Sequence, residues 1–406
     1  MPTLTLTQTV VMAMIQIIAV IAVIMLVVPL LTFAERKVIA YVQVRLGATR
    51  TAGGLWGASG GRHNARTLTG FLNMAMWALG RIPVFSILRG IPVFAADGLK
   101  LVTKEDIIPA KADKLVFILA PIIAMVPAFV VFAAICFYPG ALFYFPKSLP
   151  IIGGLAFNGF ITDVNVGLLY ILSVASVGVY GIVLGGWASN SKYPLLGGLR
   201  SAAQIISYEV PLTLSLLVPV LLAGSLNVRE LCTLMAGVPL TDAHGTVIKA
   251  ALSPMICFPL FMGFFLYTVC GFAETNRVPF DLAEAETELV SGFHTEYTGM
   301  KFGWFFLAEY ANMMVVSSIA AGFFLGGHYL LPFGLQAFVP VSWGWLAQPH
   351  LIFFAGKVGF LLFVFLWVRA TLPRYRFDQL MEVGWKWLIP VTLANLVLAT
   401  LIRFAF

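Results

Sequence analysis

Six of the 18 acidic residues of this chain lie between positions 274 and 296. They are Glu274, Asp281, Glu284, Glu286, Glu288 and Glu296, and Arg277 is the only Lys or Arg between them. Carboxyl groups held close together raise one another's pKa and titrate as a coupled set. This stretch is therefore a candidate for taking up and releasing protons near neutral pH.

The local sequence predicts how these acids are presented. Pro279 prevents the preceding helix from continuing, and Asp281 can cap a new helix with Glu284 three residues further on. In that helix Glu284 and Glu288 share one face, while Glu286 lies roughly opposite. The alternative is a solvated acidic helix start that is favoured by the helix dipole alone.

Two further acids stand inside long apolar runs. Glu209 lies in IISYEVPLTLSLLV and Glu309 lies in FLAEYANM. An ionisable side chain within a membrane span is costly and is by default a candidate functional residue. For Glu209 the alternative is an interfacial position at the end of a span.

The composition of the chain indicates that the acids are positioned by membrane-spanning helices. The chain is 60% hydrophobic and only 11% charged, with a mean hydropathy of +0.95. Soluble domains are roughly half apolar and about a quarter charged. We therefore predict an all-α integral membrane protein that forms a single membrane domain, 1–406, without the internal repeat of many transporters. Eight stretches are long enough to span, at about 10–33, 114–137, 164–188, 204–224, 252–273, 302–325, 350–370 and 386–405.

The formal charge of +7 follows the membrane topology and does not indicate nucleic-acid binding. Of the 25 Lys and Arg residues, 20 lie in or beside the odd-numbered connections between the predicted spans. The positive-inside rule then places these connections in the cytoplasm and both termini on the outer side.

The four cysteines form no CxxC pair. This spacing argues against a metal centre or an iron–sulfur site.

The first connection, 34–113, is long and basic. Between Glu35 and Asp97 there are eight Lys or Arg residues and no acid. Its apolar segments are too short to span, so we predict amphipathic helices at the membrane surface that meet anionic lipid headgroups. The first span ends with Glu35, Arg36 and Lys37. One interpretation is that these residues only anchor the end of the span at the membrane surface.

Six stretches of the chain together resemble one family, the quinone-channel membrane subunit of respiratory complex I, also called its H subunit or chain 1. They are AERKVIAYVQVRLG (34–47), ADGLKLVTKEDIIPA (96–110), GWASNSKYPLLGGLRSAAQIISYEV (186–210), GFAETNRVPFDLAEAETELVSGFHTEYTGMKFG (271–303), FLAEYANM (306–313) and RATLPRYRFDQLMEVGWK (369–386). The resemblance covers nearly the whole chain.

This resemblance implies a membrane subunit of a proton-pumping NADH:quinone oxidoreductase, in an energy-transducing inner (cytoplasmic) membrane. Quinone is expected as the bound substrate, beside Arg36, Arg45, Asp97, Arg277, Phe280 and Phe293. A proton relay is expected from Glu209, Glu274, Asp281, Glu284, Glu286, Glu288 and Glu309. No flavin, iron–sulfur cluster or metal is expected in this chain. Electrons are expected from soluble quinone-site subunits on the cytoplasmic face, and membrane-arm subunits and lipids are the other expected partners.

One segment departs from the family pattern. The family usually continues R-x-G-P-N-R-x-G-P before its A-D-G motif, but here Arg45-Leu46-Gly47 is followed by Ala48 and about 30 additional residues, an insert at about 48–92. Two alternatives remain at this point. A related subunit of a membrane-bound hydrogenase or formate-linked complex would pump without quinone. A stand-alone ion transporter would work without partners.

Overall fold

The computed structural model describes residues 6–45, 47, 92–146, 154–241, 247–249, 256–281, 290–339, 345–346 and 348–405. Within these ranges, eight helices are long and apolar enough to cross a membrane. The predicted all-α membrane fold with eight spans is therefore confirmed. Most of the insert, residues 48–91, lies outside the described residues, as do Glu284, Glu286 and Glu288.

The described part of the chain consists mainly of helices, with two small hairpins between them. They are α1 (Leu6–Val42), α2 (Pro92–Thr103), α3 (Lys114–Val130, continued by a 3-10 turn Val131–Ala134), α4 (Gly167–Ala188), α5 (Lys192–Ala223), α6 (Val228–Met235), α7 (Cys257–Glu274), α8 (Gly299–Phe323), α9 (Leu351–Thr371) and α10 (Phe377–Ala405, with a π-helical turn Val383–Leu388). The two antiparallel hairpins pair β1 (Ala141–Tyr144) with β2 (Ala156–Asn158), and β3 (Leu240–Thr241) with β4 (Val247–Lys249). The spanning helices are α1, α3, α4, α5 and α7 to α10.

Two spanning helices extend well beyond the apolar stretches that predicted them. α1 continues through residues 34–42, so that Glu35 lies on a helix rather than in a connection. α5 begins at Lys192, twelve residues before the predicted position 204, and contains Gly197 and Gly198. Hydropathy marks only the part of a helix that faces lipid, whereas packing inside the bundle also supports helical turns with polar residues.

Small residues allow the helices around the site to approach closely. A Cβ atom on Gly181 of α4 would lie 2.5 Å from the backbone nitrogen of Ala124 on α3. A Cβ atom on Gly197 of α5 would lie 2.7 Å from the Cα atom of Gly292. Such backbone contacts are typical of helix packing in membranes. They bring α3, α4, α5 and the turn at Gly292–His294 together around one cavity inside the bundle.

α8 is the central helix of the bundle. Most of its residues are buried, including Ala311, Met313, Ala321 and Phe323, and it packs against α3, α7 and α9. α8 also carries Glu309 and Tyr310, so it brings an acid and a phenol into the interior of the bundle.

Candidate functional site

Glu35 lies at the centre of a buried cluster of charged side chains. From the last turns of α1, its carboxylate accepts a hydrogen bond from the Tyr310 hydroxyl at 2.6 Å and from Arg277 Nη1 at 2.6 Å. Its other oxygen pairs with Arg369 of α9. Three elements distant in sequence therefore meet on one carboxylate.

Arg277 connects this cluster to a second carboxylate. Its side chain is only 2% exposed, and its Nε pairs with Glu309 of α8. Its guanidinium carbon lies 4.3 Å from the centre of the Tyr310 ring, which adds a cation–π contact. Burial disfavours the charged guanidinium, but Glu309 and Glu35 outweigh burial and raise the pKa of Arg277. Arg277 therefore stays cationic and bridges two acids.

The turn after α7 places Arg277 inside the protein. α7 ends at Glu274, and Asn276 adopts a left-handed backbone conformation (φ 51°), which asparagine tolerates better than most residues. The Asn276 amide donates to the Ser201 hydroxyl at 2.9 Å, and Gln204 donates to the carbonyl oxygen of Phe280 at 2.8 Å. Side chains of α5 thus hold the turn in place.

Asp281 and Phe280 form a separate edge of the site. Asp281 is buried and pairs with Arg374 at 3.0 Å. Burial raises the pKa of Asp281, against the lowering influence of Arg374, Arg369 and Arg277. The Phe280 ring stacks on Tyr375, with the ring centres 5.5 Å apart. The loop between α9 and α10 therefore covers residues 280–281.

A cavity of about 60 Å³ lies between α3, α4, α5, α7 and α8. Its polar lining consists of Glu274, Thr275, Asn276, His294, Glu309 and Asn312. A water needs roughly 10–15 Å³ of such space, so the cavity has room for more than one. Phe293 lies in the apolar part of the wall. Burial lowers the pKa of His294 to about 4, so its imidazole is neutral near pH 7.

Glu209 lies next to this cavity. It is half-buried near the middle of α5, its carboxylate accepts a hydrogen bond from Ser176 of α4, and it interacts electrostatically with Glu274. Because α5 begins at Lys192, Glu209 lies well inside the helix and not near its first turn. Among the acids of the described ranges, Glu309 and Glu274 line one cavity with room for more than one water, and Glu209 interacts electrostatically with Glu274.

Other predicted residues lie apart from this cluster. Arg36 pairs with Asp97 of α2 at 2.7 Å, with side chains 51% and 40% exposed. Arg45 is exposed just beyond the end of α1. These three residues therefore occupy the surface near the end of the bundle where Glu35 is buried.

Sequence reasoning missed three members of the buried cluster, Glu35, Tyr310 and Arg369. It also missed Arg374, the partly exposed partner of Asp281. Glu35 stands directly after an apolar run and before two basic residues, which also fits an ordinary anchoring motif. An acid at such a position gains nothing from a negatively charged membrane surface. That mismatch was the available signal. Arg369, near the end of another span, supplies one of the partners of Glu35 and is itself partly exposed.

The fold and the buried cluster define a class, a multi-pass membrane protein with an ion-pair network and an acidic cavity at one end of its helices. Residues 79–400 match the family model described as NADH dehydrogenase. The chain is 43% identical over 373 residues to the first H subunit of NADH-quinone oxidoreductase from Geobacter sulfurreducens, covering 91% of this chain and 89% of that protein. It is 40% identical over 391 residues to the NADH-quinone oxidoreductase H subunit of Paramagnetospirillum magneticum, covering 96% and 92%.

The chain therefore belongs to the family of NADH-quinone oxidoreductase H subunits. The prediction of a complex I membrane subunit is confirmed, and the chain is a multi-pass membrane protein whose partners are other subunits of that complex. Among the residues that the structure describes, no group of three or more His, Cys, Asp or Glu side chains could hold a metal ion.

Proposed function

We propose that this chain forms part of the quinone chamber of an NADH:quinone oxidoreductase and supplies the first protonatable groups that couple quinone reduction to proton translocation. The observation that carries this proposal is the position of Glu309. It pairs with Arg277, which also binds Glu35, and it lines the same cavity as Glu274. A change of charge near Arg277 can therefore alter the electrostatic environment of acids that lie deeper in the bundle.

The quinone side of the proposal is the surface around Arg277, Phe280 and Asp281. Arg277 Nη2 and Asp281 Oδ1 are buried and have no hydrogen-bond partner among the described residues. A buried polar atom without a partner is costly, so these atoms require water, another chain segment or a ligand. A quinone carbonyl oxygen can accept from the guanidinium, and the aromatic ring of Phe280 suits a flat apolar ring.

The remaining predicted quinone residues take more peripheral roles. Arg36, Arg45 and Asp97 are exposed near the same end of the bundle, where they suit the rim of an entrance or a contact with a soluble subunit. Phe293 lies in the cavity wall, so it limits the space between chamber and acids. The insert at about 48–92 is proposed to lie on the membrane surface near this entrance.

The proton relay has a definite order in this proposal. Quinone reduction consumes protons, and it changes the local charge near Asp281, Arg277 and Glu35. Glu309 responds first because Arg277 holds it directly, and water in the cavity passes the proton to Glu274 and then to Glu209. Glu284, Glu286 and Glu288 are proposed to deliver protons to the start of this series.

The odd-numbered connections, where the structure describes them, meet at the end of the bundle that holds Glu35 and Arg277. We propose that this end faces the cytoplasm of an energy-transducing inner membrane, with both termini on the outer side. Soluble subunits that carry the electron-transfer cofactors would then dock over the buried cluster, and neighbouring membrane subunits and lipids would cover the helices.

The test compares Glu309→Gln with Glu382→Gln in the purified complex reconstituted in vesicles. Glu309→Gln keeps the size of the side chain but cannot titrate, so quinone reduction and proton uptake should fall together by about tenfold or more. Glu382 is exposed and pairs with Lys386, so its substitution should change neither rate. Glu284→Gln and Glu288→Gln should behave like Glu309→Gln, whereas Glu286→Gln should be milder.

Full turnover and full pumping in Glu309→Gln, with the complex assembled, would contradict the proposed relay. Loss of pumping with unchanged quinone reduction would contradict the order given above, since it would place Glu309 after the step that the quinone controls.

A further inference from the structure

Lys357 lies at the opposite end of the bundle from Glu35. It stands in the second turn of α9, whereas Arg369 stands in the last turn. The half-buried side chain directs its ammonium group to three backbone carbonyl oxygens, those of Leu325, Gly327 (3.3 Å) and Tyr329 (2.5 Å). An ammonium group has three donors, so this arrangement provides one acceptor for each.

The three carbonyl groups converge because of the loop that follows α8. Gly326 and Gly327 both have positive φ values, 73° and 52°. A Cβ atom on Gly326 would lie 2.9 Å from the carbonyl oxygen of Leu331, so a larger residue would not fit. The Gly327 amide donates back to Ala321 at 2.9 Å, which fixes the loop on the end of α8.

The surroundings of the ammonium group are built from neutral groups. His328, between two of the carbonyl residues in sequence, is buried and donates from Nε2 to the Cys136 carbonyl oxygen at 3.0 Å. Its ring stacks on Phe354 of α9, with ring centres 5.2 Å apart. Burial lowers the pKa of His328 to about 4, so it adds no second positive charge near pH 7. Convergent neutral carbonyl oxygens are the ligands that replace the hydration shell of K⁺ in selectivity filters.

We propose that the carbonyl oxygens of Leu325, Gly327 and Tyr329 form a monovalent-cation site that the ammonium group of Lys357 occupies as a built-in ion. The site fastens the end of α8 to α9. These two helices meet again at the other end, where Tyr310 and Arg369 both contact Glu35. Lys357 is thus a positioning residue that fixes the register of α8 against α9.

The test uses the intact complex and replaces the tethered ion by a free one. In N-methylglucamine chloride, whose cation is too large for the site, Lys357→Ala should inactivate on heating about tenfold faster than the unmodified complex, since hydrogen bonds to a charged group are lost. Ammonium chloride or potassium chloride at the same ionic strength should restore the rate in a saturable manner. Lys357→Met removes the charge and fills the space, so it should be unstable in every salt.

Two further variants complete the experiment. Lys386→Ala removes an exposed lysine that pairs with Glu382, and it should match the unmodified complex in all three salts. If Lys357→Ala does not assemble, Lys357→Gln retains neutral donors and should assemble but inactivate faster.

Three results would overturn the proposal. One is wild-type stability of Lys357→Ala or Lys357→Gln in N-methylglucamine chloride. Another is a Lys357→Ala variant whose inactivation rate is the same in all three salts. The last is restoration of Lys357→Met by the small cations. None of these results bears on the relay through Glu309, which is tested by activity rather than by cation dependence.

Discussion

At the scale of single residues, Arg277 has the most constrained environment of the buried cluster. It is one cation in contact with two carboxylates, Glu35 and Glu309, and one aromatic ring, Tyr310. A guanidinium group can satisfy this arrangement because its donors point in several fixed directions, whereas an ammonium group is a point charge. The two carboxylates therefore share this one cation, and Glu35 has Tyr310 and Arg369 as further partners.

We predict that Arg277→Met strongly impairs the assembled complex. Removing one partner of a buried ion pair costs about 3–5 kcal/mol because the remaining charge is left uncompensated. Arg277→Lys should recover only part of the loss. The measurements are the amount of assembled complex in membranes and its quinone reductase rate.

The matched control for Arg277 is Arg376→Gln. Arg376 pairs with Asp378 at 2.9 Å, but its side chain is 78% exposed, and an exposed pair contributes only about 0–1 kcal/mol. Equal behaviour of Arg277→Met and Arg376→Gln would show that the buried cluster does not stabilise the fold.

At the scale of elements, the site depends on how closely α3 and α4 approach. The Cβ atom missing from Gly181 would lie 2.5 Å from the backbone of Ala124, which also lines the cavity. At Gly178, one turn earlier on α4, the nearest atom to such a Cβ is 3.9 Å away. The two glycines therefore differ in whether α4 can accept a methyl group.

We predict that Gly181→Ala separates α3 from α4 and destabilises the protein, whereas Gly178→Ala does not. Overpacking of a closely packed contact costs about 1–3 kcal/mol. The midpoint temperature for loss of quinone reductase activity should fall for Gly181→Ala only. A drop of the same size for Gly178→Ala would indicate a general intolerance of α4 to substitution rather than a specific close contact.

At the scale of the whole molecule, the antiparallel order of the spans places the ends of α1, α7 and α9 and the first half of α8 together. Glu35, Arg277, Arg369 and Glu309 come from these four regions, so the topology alone brings one charged residue from each to a single end of the bundle. Lys357 lies near the other end, with β1 and β2 in a connection on that side. The buried charged cluster and the carbonyl groups around Lys357 thus lie at opposite ends of the bundle.

We propose an orientation of the molecule from the positive-inside rule, which places the odd-numbered connections in the cytoplasm. We predict that the variant Arg376→Cys, at an exposed position between α9 and α10, reacts with a membrane-impermeant thiol reagent only from the cytoplasmic side. The variant Tyr144→Cys, at a position 70% exposed in β1, should react only from the outside. Labelling is measured in intact cells and in inverted vesicles, and the opposite pattern would reverse the orientation.

The sequence by itself determined the fold class, the number of spans and the family. Long apolar runs need no tertiary information to be recognised, because the bilayer requires about 20 such residues for each helix. The sequence also singled out Glu209 and Glu309, because acids within apolar runs are conspicuous, and Glu274, because it belongs to a cluster of acids. Only the packed bundle shows that Glu274 and Glu309 line one cavity and that Glu209 interacts with Glu274, although the family resemblance had already grouped the three acids as a relay.

Only the tertiary structure decided which charges are buried together. Glu35 and Arg277 are 242 positions apart, and Arg369 is farther still along the chain from Glu35. Hydropathy describes each segment against lipid and carries no information about the partner that a polar side chain meets across the bundle. Arg36 and Glu35 are neighbours in sequence, yet one lies on the surface with Asp97 and the other lies inside with Arg277, because adjacent residues of a helix point about 100° apart.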